Sequence, residues 1–424
     1  MINSQRIKPF HAESLTGNKE YFCDINRFMH RISPQLVLVF YCLLFVTLAG
    51  ASDKNINLRG NFDNSYDQFM VKKTGTVAFM GGSITQMDGY RPMVSKFLNR
   101  IFPRTKFKFI NAGISSTCST TGAFRLNDQV LEKGDIDLFF IEFAVNDDQD
   151  AGHSTKNCIR GMEGIIRHAR LAQPNIDIVV TYFVNPSMLS QLQEGKVPLS
   201  IAAHEKVLKH YNVSSVFLAQ EVAQRIASGK TTWNQYGGTH PKPYGNAIAA
   251  EMIEKLLTKA WKQETPKGRR AHSVPENLID NKSYYRGKFL SPEKFSNDYW
   301  SWEMPDWKKI SGNFRNTFSG LKLLCSDSVN QEIKVDFNGS ALGVYVLAGP
   351  DAGIIEVSID GGEWESRDLY HRYSKGLHYP RTVMLASDLS DNDHSARIRL
   401  KKRSNNATKG NSARILQFTV NGSL

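Results

Sequence analysis

The chain has 424 residues, of which 41% are hydrophobic and 22% charged, and its formal net charge is +12. This length exceeds one typical domain, so we expect two domains, and the composition excludes a wholly disordered chain. The basic residues are dispersed and include no recognised nucleic-acid-binding motif, so we expect a solvated basic surface and no nucleic-acid partner.

Residues 29–51 have the layout of a secretory signal peptide. A basic segment begins at Met29, an apolar run extends from Leu36 to Val46, and Ala49–Ala51 supplies small residues at a cleavage position. We therefore predict that translation starts at Met29 and that a secreted or periplasmic chain begins at Ser52, with no membrane span. The alternative is that this segment is retained as an N-terminal membrane anchor.

A buried strand followed by a sharp turn is predicted near the start of the mature chain. Val77–Met80 is a run of four apolar residues, which is typical of a parallel strand covered on both faces. Gly81 and Gly82 permit a sharp turn after this strand. The turn would place the hydroxyl of Ser83 at the carboxyl edge of the sheet, where open α/β folds carry their chemistry.

Further predicted strands alternate with helical patterns along the next 140 residues or so. The strands lie at residues 106–113, 138–147, 177–182 and 215–217, and apolar residues recur at helical spacing in stretches such as 159–169. Strands that alternate with helices predict a parallel sheet covered by helices.

Four short blocks in this region resemble the SGNH (GDSL-type) hydrolases. The family is named for a Ser, a Gly, an Asn and a His, which match Ser83, Gly113, Asn146 and His240 here. The His lies in Gly-Gly-Thr-His-Pro, just before a predicted helix, and the resemblance covers roughly residues 70–260. It implies an α/β fold with a flavodoxin-like, three-layer parallel sheet and a serine ester hydrolase without metal or cofactor.

The resemblance also implies a role for each matched residue. Ser83 is the expected nucleophile and His240 its base, because a serine hydroxyl is a poor nucleophile until an imidazole takes its proton. The backbone N–H groups of Ser83 and Gly113 and the side-chain amide of Asn146 are the expected oxyanion hole.

The chain departs from the family at the catalytic acid. The usual Asp lies three residues before the His, and that position here is Gly237. One solution is a Ser-His dyad in which a backbone carbonyl holds the imidazole. The other is a carboxylate from elsewhere, for which Glu142, Asp147 and Asp148 are candidates at the rim of the third strand. The family's first-block Asp is replaced as well, by Gly82.

The C-terminal third has a different pattern of predicted secondary structure. Short strand candidates without intervening helices predict an antiparallel sandwich or jelly roll; they lie at residues 332–337, 341–347, 353–359, 396–400 and 415–420. We therefore divide the chain into an N-terminal extension with signal peptide (1–51), a hydrolase domain (52–262), a linker (263–280) and a β-sandwich accessory domain (281–424).

The cysteines give no disulfide framework. Cys118, Cys158 and Cys325 remain after the predicted cleavage, and no Cys/His spacing suggests zinc. One bridge, between Cys118 and Cys158, is compatible with an oxidising compartment.

Two functional hypotheses follow. The first is an exported serine esterase that removes small acyl groups such as acetyl, with an O-acylated carbohydrate or another small ester as substrate. The added β domain favours carbohydrate by analogy, and a lipase or thioesterase of the same family is the rival within enzymes. The second is a non-catalytic carbohydrate-binding surface protein on a degenerate hydrolase fold, which the glycine at position 237 motivates.

Overall fold

A computed structural model describes residues 54–262, 268–402 and 408–422. The predicted signal peptide, or anchor, at residues 29–51 lies outside the described residues. Within those three ranges, no helix has the length and apolar character that a membrane crossing requires. Residues 55–424 form one compact unit that contains both the α/β and the β region.

The first region is built on a mixed sheet of six strands. They are β1 (Ile56–Asn57), β2 (Thr74–Gly81), β3 (Lys106–Gly113), β4 (Leu138–Glu142), β5 (Asp177–Thr181) and β6 (Ser214–Val216). Their order is β1-β6-β5-β4-β2-β3, with β2 to β6 parallel and β1 antiparallel at the edge. Without β1, the strands follow the flavodoxin-like order, which confirms the predicted fold class.

Ten α-helices accompany this sheet in the described ranges. They are α1 (Asp63–Asp67), α2 (Ser83–Gln86), α3 (Tyr90–Ile101), α4 (Ser119–Gln129), α5 (Thr155–Ala172), α6 (Pro186–Gln193), α7 (Leu199–His210), α8 (Leu218–Ala227), α9 (Trp233–Tyr236) and α10 (Pro243–Lys262). Every residue of β4 and β5 is buried, so both faces of the central strands are covered.

The second region is antiparallel, as predicted. Its strands are β7 (Gly287–Leu290), β8 (Ser301–Glu303), β9 (Leu323–Ser326), β10 (Glu332–Asn338), β11 (Leu342–Ala348), β12 (Ile354–Ile359), β13 (Glu365–Asp368), β14 (Tyr379–Ala386), β15 (Asp393–Lys401) and β16 (Ala413–Asn421). One sheet has the order β10-β15-β12-β13, and the other has the order β14-β11-β16-β9-β8 with β7 paired to β16. Alternating burial along β10 and β15 points their apolar side chains into a core that includes residues of the second sheet.

Charged pairs tie the two regions and the segment between them together. On α5, Arg160 is buried, and its Nε lies 2.8 Å from Asp280 while its guanidinium also pairs with Asp388. The segment at residues 268–280 has no helix or strand, yet His272 hydrogen-bonds Asp177 at 2.7 Å. The domain boundaries at this linker stay a prediction, but its described part packs along the α/β region.

The β region also contacts the carboxyl edge of the parallel sheet. Arg315 donates to Ser116 Oγ at 2.8 Å, in the loop after β3. The hydroxyls of Thr382 on β14 and Thr121 on α4 are 2.9 Å apart. Because open α/β folds bind ligands at this edge, the β region lies beside the place where a site is expected.

Candidate active site

The turn that carries Ser83 is shaped by close packing. Strand β2 ends at Gly81, and Ser83 is the first residue of α2. A Cβ at Gly81 would lie 2.3 Å from Thr85 Oγ1, and one at Gly82 would lie 2.1 Å from Asn146 Oδ1. Neither glycine has a positive φ in this structure, so both are required because neighbouring atoms fill the space of a side chain.

The predicted nucleophile and base are in contact. Ser83 Oγ lies 2.7 Å from His240 Nε2, although the two residues are 157 positions apart in the sequence. Ser83 is half-buried and His240 is exposed. This distance is within the range that a general base needs for direct proton transfer from a hydroxyl.

Backbone geometry holds the loop that carries the imidazole. Gly237 ends α9 in the left-handed region, with φ +108°, and the N–H of Lys242 donates to the carbonyl of Tyr236 at 3.0 Å. On α10, Asn246 is buried and donates to the Pro241 carbonyl at 2.6 Å. These hydrogen bonds hold the backbone of the loop that carries His240. Among the described residues the imidazole hydrogen-bonds Ser83, and the backbone carbonyl expected to hold it in a dyad is not one of its partners.

The predicted oxyanion donors lie around this turn. Asn146 begins a short π-helical turn, its amide packs against Gly82, and its Nδ2 donates to Asp150 Oδ2 at 2.6 Å. The backbone N–H of Gly113 donates to Asn111 Oδ1 at 3.0 Å. Two of the three predicted donors, the Gly113 N–H and the Asn146 amide, thus have protein acceptors in this structure.

A buried guanidinium joins the two strand ends that carry these donors. Arg125 on α4 is fully buried and donates to the carbonyls of Ala112 at 2.6 Å and Gly81 at 2.9 Å, and to Thr117 Oγ1 at 3.2 Å. Burial lowers its pKa to about 10, which still leaves it cationic at neutral pH. The Ala112 carbonyl belongs to the peptide group whose N–H is that of Gly113, so the cation polarises a predicted oxyanion donor.

Glu142, one of the three candidate acids, lies beneath the nucleophile turn. Its carboxyl group is fully buried at the end of β4, accepts the N–H of Gly82, and lies 3.4 Å from Thr85 Oγ1. Burial raises its pKa to about 8, so the group is largely protonated at neutral pH. It makes no hydrogen bond to His240.

The other two candidate acids are engaged elsewhere. Asp147 is fully buried and accepts hydrogen bonds from the N–H and hydroxyl of Ser119 and from His204 Nε2. Asp148 accepts from Asn185 Nδ2 at 2.8 Å. Within the described ranges, neither carboxylate has a hydrogen bond or ion pair with the imidazole of the loop.

The sequence analysis missed the acidic residue that is coupled to the imidazole. Burial raises the pKa of Asp150, while hydrogen bonds from the Asn146 and Gln149 amides and the nearby Arg372 and His240 side chains oppose that rise. Asp150 and His240 are therefore electrostatically coupled, without a hydrogen bond between them. The available signal was the spacing of Asp150, four residues after Asn146, which places both side chains on one side of a helical turn.

The β region forms part of the rim of the site. His371 Nε2 lies 2.9 Å from the carbonyl of Asp150, and Arg372 donates to the carbonyl of Gln149. Burial lowers the pKa of His371 to about 4, so its ring is neutral and donates from Nε2. The turn that contains the predicted oxyanion residue is thus braced by a loop of the second region.

Comparison with known proteins agrees with these observations. Residues 79–248 match the model of the GDSL-like lipase/acylhydrolase family. A crystal structure of a two-domain esterase active on acetylated mannans aligns with a TM-score of 0.70 at 19% identity, over 88% of this chain and 99% of that one. The same kind of esterase co-crystallised with mannopentaose aligns with a TM-score of 0.67 at 18% identity, over 88% and 98% of the two chains. At this identity the likeness shows the fold, including its two-part architecture. No curated protein sequence matches the chain.

Gly237 should tolerate no side chain. A Cβ there would lie 2.2 Å from the backbone N of Lys242, and the positive φ would add strain of about 1–3 kcal/mol. We expect Gly237→Asp, which reinstates the family's acid, and Gly237→Ala to lower both the melting temperature and kcat. Gly238→Ala is the matched control, since Gly238 has φ +88° but nothing within 4 Å of its Cβ position. A gain of activity in Gly237→Asp would show that the loop geometry is wrong.

Glu142 should make stability fall as pH rises. Its folded-state pKa of about 8 lies above its ordinary value of 4.5, so between these values the folded protein holds a proton that the unfolded chain has released. Its contribution is complete below pH 4.5 and is lost as the pH rises through 8. We expect urea unfolding at pH 5 and pH 8 to show a smaller loss for Glu142→Gln than for the wild type, with esterase activity retained. An equal loss in both proteins would contradict a protonated Glu142.

Proposed function

Because residues 79–248 belong to the GDSL-like lipase/acylhydrolase family, the chain carries an ester hydrolase domain, and we propose that it removes acetyl groups from O-acetylated polysaccharide. We further propose that it acts outside the cell, on the strength of the signal-peptide pattern at residues 29–51. The contact of 2.7 Å between Ser83 Oγ and His240 Nε2 carries the catalytic part of this proposal. A degenerate, purely carbohydrate-binding protein has no need to keep these two groups aligned.

The reaction follows from this geometry. His240 Nε2 accepts the proton of Ser83 while Oγ attacks the acetyl carbonyl, and the imidazolium then protonates the departing sugar oxygen. The oxyanion takes the N–H groups of Ser83 and Gly113 and the amide of Asn146, each worth about 3–4 kcal/mol in the transition state. Water, deprotonated by His240, then releases acetate from the acetyl-serine.

We favour a Ser-His dyad for this chain. The three candidate carboxylates have other partners or lie beneath the turn, and in the described part of the chain only Ser83 hydrogen-bonds His240. Hydrogen bonds hold the backbone of the Gly237–Lys242 loop at the place where the family has its acid. The negative charge of an ionised Asp150 attracts the imidazolium of His240 that forms during the reaction, and so stabilises it.

The surroundings of the site favour a sugar over a lipid. Two large side chains are exposed in this part of the molecule. Tyr244 lies four residues after His240, and Tyr373 lies in the β-region loop that contains His371 and Arg372. Both are aromatic, and Arg372, next to Tyr373, donates to the carbonyl of Gln149 beside Asp150. Aromatic rings beside polar and charged groups suit a hydroxyl-rich substrate, whereas a long acyl chain requires a continuous apolar channel. The two-domain mannan esterase with the same fold makes acetylated mannan the first substrate to test.

The test is acetate release from acetylated glucomannan and acetylated xylan by the purified protein. We expect the wild type to release acetate, and Ser83→Ala to lower kcat by at least about 10⁴-fold with an unchanged circular dichroism spectrum. Ser95→Ala is the matched control, because Ser95 is also half-buried but hydrogen-bonds its own helix at the Arg91 carbonyl. Equal activity in the wild type and Ser83→Ala would refute the proposal. Retention on a glucomannan column without acetate release would favour the binding protein instead.

A further inference from the structure

A group of buried side chains that are common metal ligands lies behind the turn that carries Asn146. Cys118 immediately precedes α4, Asp147 follows Asn146 in the turn, and His153 lies just before α5. One ligand atom from each residue lies within 4.8 Å of the others. The side chain of Asp147 is fully buried, that of His153 is 11% exposed, and Cys118 is buried.

The Asp147–His153 pair has the spacing of two ligands of one ion. Asp147 Oδ1 and His153 Nδ1 are 3.5 Å apart, yet the buried Nδ1 has no hydrogen-bond partner among the described residues. Two N and O ligands about 2.0–2.1 Å from a tetrahedral Zn²⁺ are about 3.4 Å apart. The Asp147–His153 distance therefore fits two ligands of one ion, and it also fits an ion pair when the imidazole is protonated.

Neighbouring groups orient these side chains as they would in a metal site. Asp147 Oδ2 accepts from Ser119 Oγ at 2.6 Å and from His204 Nε2 at 2.9 Å, while Oδ1 accepts the N–H of Ser119 at 2.8 Å. On the imidazole of His153, Nε2 lies 3.4 Å from Thr120 Oγ1. Metal-binding carboxylates and imidazoles are typically held by such second hydrogen bonds.

A second group of potential metal ligands also includes Asp147, but a direct hydrogen bond already joins two of its members. Cys158 and His204 lie with Asp147 at a similar spacing, but here His204 hydrogen-bonds Asp147 directly. Cys118 and Cys158 are free thiols in the structure, without the bridge considered in the sequence analysis, and the Cys118 thiol contacts Thr121 Oγ1 at 3.8 Å.

The group opens onto a cavity between the two regions. This cavity has a volume of about 340 Å³, and its lining includes Cys118, His153, Asp150, Asn157, Tyr379 and Arg381. Three protein ligands with one side open to a cavity resemble catalytic zinc sites, whereas structural zinc sites are closed by a fourth protein ligand.

We propose that Cys118, Asp147 and His153 bind one divalent transition-metal ion, whose remaining coordination position faces this cavity. A thiolate, an imidazole and a carboxylate suit Zn²⁺ better than Mg²⁺ or Ca²⁺, which prefer oxygen ligands. Binding breaks the S–H bond of Cys118 and releases its proton to solvent. The ion would also fix the turn that carries Asn146. The proposal does not rest on the esterase activity, because the Ser83–His240 contact needs no metal.

Cobalt titration of the purified, chelator-treated protein tests the site. We expect one Co²⁺ per chain, with a thiolate-to-cobalt charge-transfer band in the near ultraviolet and displacement by one equivalent of Zn²⁺. Cys118→Ser should abolish the charge-transfer band, and His153→Gln should weaken binding by more than about 100-fold. Circular dichroism melting of each variant checks that it is folded.

Two controls make the result specific. Cys325→Ser removes another free, half-buried cysteine far along the chain, in β9, and should leave the cobalt spectrum unchanged. Ser83→Ala should bind the ion as the wild type does, which separates this site from the proposed catalysis. Absence of stoichiometric Co²⁺ and Zn²⁺ binding by the wild type would overturn the proposal. A charge-transfer band that persists in folded Cys118→Ser would do the same.

Discussion

The site depends on a buried cation that holds two strand ends together. Arg125 donates to the carbonyls of Gly81, the last residue of β2, and Ala112, the last but one of β3. The Gly81 carbonyl also accepts the N–H of Ile114 at 3.0 Å, so the guanidinium adds a second, charged donor at this strand end. The same contacts fix Ser83 relative to Gly113 and place a positive charge behind the peptide that is expected to stabilise the oxyanion.

Backbone hydrogen bonds and packing shape the loop that carries His240, at the place where the family has its acid. The Gly237 turn closes so tightly that the family's acid has no room at its usual place. Gly82 similarly leaves its space to the amide of Asn146. These two departures from the family pattern are therefore linked to close contacts of the main chain, and they are compatible with a working Ser-His pair. In the β region, His371 Nε2 hydrogen-bonds the backbone carbonyl of Asp150 and so helps to hold this turn.

The sequence was sufficient for features that repeat or that follow a strand. The five strands predicted in the α/β region and the five predicted in the β region are found in the structure, and the strand order that the family resemblance implied is found as well. Five strands of the β region were not predicted. Strands β7, β8, β9 and β13 have only three or four residues each, whereas β14 has eight residues with none exposed and was overlooked. The four short strands have too few residues to leave a periodic signal, but this reason does not apply to β14.

Contacts between segments that are distant along the chain could not be predicted from the sequence. Arg125 is one charged residue inside an amphipathic pattern, and only the folded sheet shows that it faces two strand ends. Cys118, Asp147 and His153 are 29 and then 6 residues apart, which matches no short zinc motif, yet the loops after β3 and β4 bring them together. Asp150 was overlooked because three other carboxylates stand closer to β4 in the sequence.

The central claim is that His240 activates Ser83 as the nucleophile, and covalent trapping tests it most directly. A p-nitrophenyl alkylphosphonate transfers its phosphonyl group to an activated serine and releases p-nitrophenol. Peptide mass spectrometry of the treated protein should find one phosphonyl group on Ser83, and His240→Gln should slow the labelling by orders of magnitude. A label on another serine, or labelling of Ser83 at the same rate in folded His240→Gln, would contradict the account.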